Sequence, residues 1–340
     1  MTTADYRPPR WLRNPHLQSL LSSASLRRRS GGRLLQRLGA VTREELIEVE
    51  EGRLQGFHTT LPGREPRGLA VLLHGWEGSA ESGYMRHTAA QLLGRGFDVF
   101  RLNFRDHGDT HHLNREMFNS GRLTEVVQAV AEIARRFPPR PLLLAGYSLG
   151  GNFALRVALQ APKAGIPLQH AAAVCPAIDP AGVLHALETG FPLYNWYFMR
   201  KWRRSLLRKR ALFPDLHDFG DEVLAMDMRS LTHWLVQRHT SLAGIEEYFD
   251  AYSIAGGRLA ALQVPVSVLA AADDPVIPVD AFQQLQLPPH SSLQIAAFGG
   301  HCGFIESVDL RGWSERWVAE RLDAAAGEAG RATIGDSAPA

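Results

Sequence analysis

The chain of 340 residues holds two cysteines, Cys175 and Cys302. Two are too few for a disulfide framework and neither sits in a C-x-x-C pair, so both read as thiols in a reducing compartment. No uninterrupted apolar run reaches the roughly 18 residues that a membrane-spanning helix needs. The N-terminus lacks the apolar centre of a secretory signal. Strong net charge is missing too: the formal balance is +2, which gives the surface as a whole no pull on nucleic acid. No internal repeat is visible. These absences leave a soluble cytoplasmic protein without a nucleic-acid partner as the expectation, and they set no oligomeric state. The hydrophobic fraction of 45% is ordinary for a globular chain, and the length suffices for one large α/β domain.

Charge is uneven locally. Residues 1–40 form an arm rich in Arg, Pro and Leu with one acid, Asp5. Within it Trp11 to Leu20 mixes apolar and polar residues, as a strap across the body would. A second basic cluster runs from Arg200 to Arg210.

From Leu69 to Ala325 the pattern alternates strand and helix. Leu69 to Leu73, Phe97 to Asn103, Leu142 to Ala145, Ala171 to Cys175, Val264 to Ala271 and Leu293 to Ala297 read as strands, preceded by a hairpin over Glu45 to Thr60. Ser82 to Leu93, Leu123 to Phe137, Asn152 to Gln160 and Trp313 to Ala325 read as helices. Such alternation predicts an α/β fold with a mostly parallel sheet covered on both faces. Ligand sites in such sheets lie beyond the carboxyl ends of the strands. Residues 178–258 break the rhythm with helical patterns and three tryptophans, Trp196, Trp202 and Trp234, which predicts a helical cap inserted into a domain spanning 41–325. Residues 326–340 are small and polar, and disorder is expected there.

The residues with chemistry lie at the ends of these strands. Gly146-Tyr-Ser-Leu-Gly150 follows the apolar Leu142–Ala145 run and precedes a helical pattern. A serine between glycines on a strand-to-helix turn holds its hydroxyl clear of the sheet. A serine hydroxyl needs a base, and the base needs an orienting acid. Downstream, Val264–Ala271 runs into Asp273-Asp-Pro-Val-Ile-Pro278, and Leu293–Ala297 runs into Gly299-Gly-His-Cys-Gly303. His301 is the candidate base among fourteen histidines. Asp274 is favoured over Asp273 as the acid; the other carboxylate would cap the turn. After the Leu69–Leu73 strand comes His74-Gly-Trp-Glu-Gly78. The backbone N–H groups of Trp76 and Leu149 are the expected oxyanion donors. His74 reads as a residue that holds this loop.

Two other clusters carry residue types that suit a ligand. Arg105-Asp-His-Gly-Asp-Thr-His-His112 has metal-ligating residue types, but no recognised ligand spacing. It reads as a hydrogen-bonded loop at the pocket rim, and no metal or organic cofactor is expected. Tyr197 to Phe213 is basic and aromatic. It reads as a solvated helix facing Asp215, Asp218, Asp221 and Glu222, with peripheral contact to an anionic membrane as the alternative.

Together these segments resemble the α/β-hydrolase superfamily and, within it, the YheT-like branch. Arg10-Trp-Leu-Arg-Asn-Pro-His-Leu-Gln-Ser-Leu20 is similar to that branch's N-terminal signature, and the resemblance extends from about Pro8 to Trp317. It implies a serine esterase that cleaves carboxylic esters with Ser148, Asp274 and His301 as its triad. The expected substrate is a small or lipid-like ester; lipase, phospholipase, thioesterase and acyltransferase are the alternatives on the same triad, with a non-catalytic binding protein as a further one. The chain departs from the family where Asp106-His107-Gly108 follows Asn103-Phe-Arg105, and it lacks the His-x4-Asp spacing that some acyltransferase relatives carry.

Overall fold

The apolar strand runs are apolar throughout because each is buried on both faces. In Leu69–Leu73, Leu69, Val71 and Leu73 join the core on one side of the sheet, and Ala70 and Leu72 the core on the other. Leu142–Tyr147 and Val266–Ala271 divide in the same way, with the period of two that a strand dictates. Fully burying one such Leu or Val contributes about 1.5–3 kcal/mol.

The computed structural model describes residues 2–137 and 141–335, with side chains as far as 327. Its strands are β1 (Thr2–Thr3), β2 (Val41–Val49), β3 (Gly52–Thr60), β4 (Leu69–Leu73), β5 (Asp98–Leu102), β6 (Leu142–Tyr147), β7 (Leu168–Val174), β8 (Val266–Ala271) and β9 (Ser292–Ala296). They form one sheet in the order β1-β9-β8-β7-β6-β4-β5-β3-β2. The β2–β3 and β3–β5 pairs are antiparallel and all other pairs are parallel. The fold is therefore α/β, with a mostly parallel sheet and helices around it.

The helices are α1 (Pro15–Ser22), α2 (Ser25–Arg37), α3 (Gly83–Gly94), α4 (Leu123–Arg136), α5 (Leu149–Gln160), α6 (Pro180–Thr189), α7 (Pro192–Leu212), α8 (Asp221–Ala225), α9 (Met228–His239), α10 (Ile245–Tyr252), α11 (Asp280–Gln283) and α12 (Trp313–Gly335). α3 and α12 cover one face through Met85, Leu92, Trp317 and Leu322. α4 and α5 cover the other through Val126, Val130, Phe153 and Val157. Helices α6–α10 form the insertion between β7 and β8, and Leu184, Trp202, Leu231 and Leu235 merge with the core under α5. No helix among the described residues is long and apolar enough to cross a membrane.

Two expectations shift. The arm is part of the fold: Thr2 and Thr3 extend the sheet beside Gln294 and Ile295, and Leu12 and Gln18 are fully buried. α12 continues to Gly335 because its Ala-rich stretch favours helix. Of the tail expected over 326–340, only 336–340 lie wholly outside the described residues.

Candidate active site

β6 delivers Ser148 into a turn that only its flanking glycines allow. Ser148 has φ 53° and ψ −120°, a positive-φ geometry that costs a non-glycine residue free energy and must be held from outside. Its N–H donates to Val174 O at 2.9 Å, and its carbonyl accepts from Asn152 N at 3.0 Å. A Cβ on Gly146 would strike the carbonyl of Gly150, and one on Gly150 would strike the carbonyls of Leu73 and His74. The turn thus lies hard against the end of β4.

His301 Nε2 lies 2.9 Å from Ser148 Oγ. On its other side Nδ1 lies 2.9 Å from Asp274 Oδ2 and 3.2 Å from Oδ1. The Asp274 side chain is 1% exposed, and its Oδ1 also accepts from the N–H groups of Val276 and Ile277 at 2.8 and 3.0 Å. This fixes the carboxylate before the imidazole meets it. Burial alone would push His301 down, but the Asp274 charge, the neighbouring Cys302 and the Asp274 hydrogen bond raise it to about 9. Asp273 points elsewhere: its Oδ1 accepts from Gly300 N at 2.9 Å and so holds the loop that carries His301.

The same loop is gripped from the far end of the sequence. Ser19 Oγ accepts from the His301 N–H at 2.8 Å. Gln18 accepts from Ile305 N at 2.6 Å and donates to the carbonyls of Leu12 and Ile305 and to Tyr6 Oη. Gly300 has φ +54°, and a Cβ there would meet Pro15 O and Ser19 Oγ. The mixed character of Trp11–Leu20 suggested a strap. Nothing in its spacing pointed to a loop 282 residues away.

The loop after β4 closes the site from above. His74 Nδ1 bonds to Gly75 O at 2.8 Å, while Nε2 accepts from Phe104 N at 3.2 Å. Burial and His107 hold this imidazole well below its usual range. His74 therefore braces the loop as a neutral side chain and makes no bond to Ser148. Gly75 packs so closely that a Cβ would sit 3.2 Å from the Ser148 Cβ. Neither Trp76 N–H nor Leu149 N–H has a protein acceptor among the described residues. Leu149 opens α5, where the first N–H groups of a helix have no internal partner.

A family model described as serine aminopeptidase S33 (Hydrolase_4) matches residues 64–305, which is more than half of the chain. The chain belongs to the S33 hydrolase family. It is similar to the putative esterase YheT of Escherichia coli, at 25% identity over 94% of this chain and 92% of that one. It is also similar to human phospholipase ABHD3, at 24% identity over 78% of this chain and 67% of the relative. An esterase from Pyrobaculum calidifontis shares the fold with a TM-score of 0.58 at 15% identity, over 95% of this chain and 99% of that structure. The chain is an α/β-hydrolase of the YheT-like branch, with the esterase or lipase type of hydrolytic activity.

Two chambers of this S33 hydrolase meet at Ser148. One, of about 120 Å³, is apolar and lined by Trp76, Leu184, Phe198, Trp202, Leu235 and Ile277. The other, of about 540 Å³, is the more polar of the two, lined mainly by polar and charged residues, His301 and Glu77 among them. α7 faces both. Trp202 lines the apolar chamber and Lys201, Arg204 and Arg208 the polar one, while Phe198 borders both. Glu77 is raised to about 7 by burial, against the opposing pull of Lys201.

Several polar side chains of the loop from Arg105 to His112 are tied into the fold. Arg105 pairs with Glu125 at 2.5 Å, Asp106 with Lys209 at 3.0 Å, and His107 Nδ1 with Arg105 O at 2.7 Å. His111 Nε2 bonds Ser205 Oγ at 2.8 Å. Among the described residues no three ligating side chains converge as a metal site. The acids expected opposite the basic helix are only partly its partners. Arg210 meets Asp221 at 3.0 Å, but Asp215 pairs with Arg115 and Asp218 with Arg238. Glu222 accepts from the Gly220 N–H instead. The basic helix turns Lys209 inward to Asp106 and Arg208 to Asp109.

Proposed function

We propose that the protein hydrolyses carboxylic esters through an acyl-enzyme on Ser148. The observation that carries the reading is the unbroken row Ser148 Oγ, His301 Nε2, His301 Nδ1, Asp274 Oδ2, with both steps at 2.9 Å. Asp274 holds the proton on Nδ1, so Nε2 offers its lone pair to the serine hydroxyl. Ser148 Oγ bonds to the acyl carbon as its proton passes to Nε2. The acyl carbon–oxygen bond then breaks, and the departing alcohol takes that proton. Water next adds to the acyl carbon and loses a proton to Nε2; the bond to Ser148 Oγ then breaks as Nε2 returns that proton to Oγ, releasing the acid and restoring the serine. The Trp76 and Leu149 N–H groups stabilise the negative oxygen in both steps; one such donor contributes about 3 kcal/mol.

The apolar chamber favours an acyl group with hydrocarbon character, which agrees with the phospholipase named among the relatives. The test is turnover of p-nitrophenyl esters by the purified protein, with Ser148→Ala as the blank. Activity that survives Ser148→Ala rules the reading out.

Contact with an anionic membrane is a second reading, favoured by the cap. Phe191 and Trp196 are exposed at 49% and 56%, and Arg200 stacks over the Trp196 ring. Aromatic rings beside cations are the composition of interfacial helices.

A further inference from the structure

The two chambers differ in chemistry, and one helix borders both. α7 gives Trp202 to the apolar chamber and Lys201, Arg204 and Arg208 to the polar one, with Phe198 standing between them and lining both. Spacings of three and four residues put the three cations on one face. Arg28 of α2 joins the polar wall from the arm. Four cations thus border the polar chamber: Arg28, Lys201, Arg204 and Arg208.

The acids on this wall do not cancel them. Asp106 is engaged by Lys209, from outside the four, at 3.0 Å. Asp109 offsets one cation, Arg208, at 2.9 Å. Glu77, whose carboxyl burial raises to about 7, offsets at most part of Lys201, whose ammonium donates to the Glu77 carbonyl at 2.6 Å. The guanidinium groups of Arg28 and Arg204 bond to no acceptor among the described residues. A chamber lined by unspent cations concentrates anions and binds phosphate or carboxylate oxygens through charge-assisted bonds.

We propose that the substrate is an acyl ester of an anionic alcohol, with the acyl chain in the apolar chamber and the phosphate or carboxylate of the alcohol in the basic one. The scissile carbonyl then sits at Ser148, where the chambers meet. The proposal rests on the hydrolase reading above and adds the charge of the leaving group. The reaction stays the same: the alcohol leaves with the proton from His301 and carries its anionic group out through the polar chamber.

The test uses three esters with one acyl chain: 1-octanoylglycerol 3-phosphate, 1-octanoylglycerol and octanoylcholine. At low ionic strength the phosphate ester should exceed the neutral one in kcat/KM by about tenfold or more, with the cationic ester lowest. The preference should narrow in 0.5 M salt, because solvent-exposed charges are screened. Arg28→Gln with Arg204→Gln should cut the phosphate-to-neutral ratio at least fivefold, while Arg135→Gln, distant from the chambers, leaves it unchanged. A ratio of one or less, or a ratio that the Arg28/Arg204 variant does not move, overturns the proposal. Turnover of p-nitrophenyl octanoate separates the two levels. If that ester is cleaved and the charge series is flat, only the leaving-group assignment fails; if none of the four esters is cleaved, both fail.

Discussion

Replacing Asp274 with Asn preserves the size of the side chain and reverses its chemistry towards His301. The amide oxygen takes the two N–H bonds from Val276 and Ile277 now accepted by Oδ1. That leaves the amide NH₂ facing Nδ1, which must then accept. The ring proton moves to Nε2, opposite Ser148 Oγ at 2.9 Å, and the serine loses its base. A tautomer error of this kind lowers kcat by about 10⁴-fold, or about 5.5 kcal/mol of barrier. Asp273→Asn is the matched control. Its amide oxygen can still accept the Gly300 N–H bond, now at 2.9 Å, so only the charge assistance is lost. A charged hydrogen bond exceeds a neutral one by about 1 kcal/mol, which limits the loss to roughly fivefold. The assay is kcat/KM on a p-nitrophenyl ester, with the melting temperature of each variant checked in parallel. Folded Asp274→Asn protein within tenfold of wild type, or a larger loss in Asp273→Asn, refutes the assignment of the acid.

The other predictions concern pH, the arm and the cap. The imidazole works as a base only when neutral, and Asp274 lifts it to about 9. The kcat/KM profile should therefore rise with pH along a limb well above 6.5, and Asp274→Asn should move any residual limb downward; a plateau already reached at pH 6 contradicts this. Gln18→Ala strands the buried Ile305 N–H and the carbonyl of Leu12. At about 1–3 kcal/mol for each orphaned group, the urea midpoint should fall clearly, and an unchanged midpoint would show that the arm does not brace the His301 loop. If the cap meets membranes, the protein should co-sediment with anionic vesicles and be released by salt; equal recovery on neutral vesicles contradicts that reading.

The strands from β4 to β9 were legible because burial on both faces leaves a bare apolar run, and a run of that length between Gly-rich turns has few other uses. The convergence of Ser148, Asp274 and His301 was legible for a related reason: each follows a strand, and parallel strands bring their carboxyl ends to one edge. Asp273 and Asp274 could be ranked but not separated by sequence, since both are acids in one turn and only the backbone decides which faces the imidazole. The hold of Gln18 and Ser19 on the His301 loop was invisible. It consists of hydrogen bonds between distant segments and has no period. The partners of α7 are legible only in part: the acids at 215 and 218 stand close to it in sequence, yet they pair with Arg115 and Arg238. Only the packing of the cap shows that Lys209 turns inward to Asp106 while the Arg204 guanidinium has no acceptor among the described residues.

Acylation should fall on Ser148 Oγ. Intact-protein and peptide mass spectrometry after treatment with a fluorophosphonate tests it directly. One adduct on the peptide containing Ser148, absent from Ser148→Ala and strongly slowed in His301→Ala, is the result expected from the 2.9 Å Ser148–His301 contact. A folded protein that stays unlabelled, or is labelled at another residue, contradicts it.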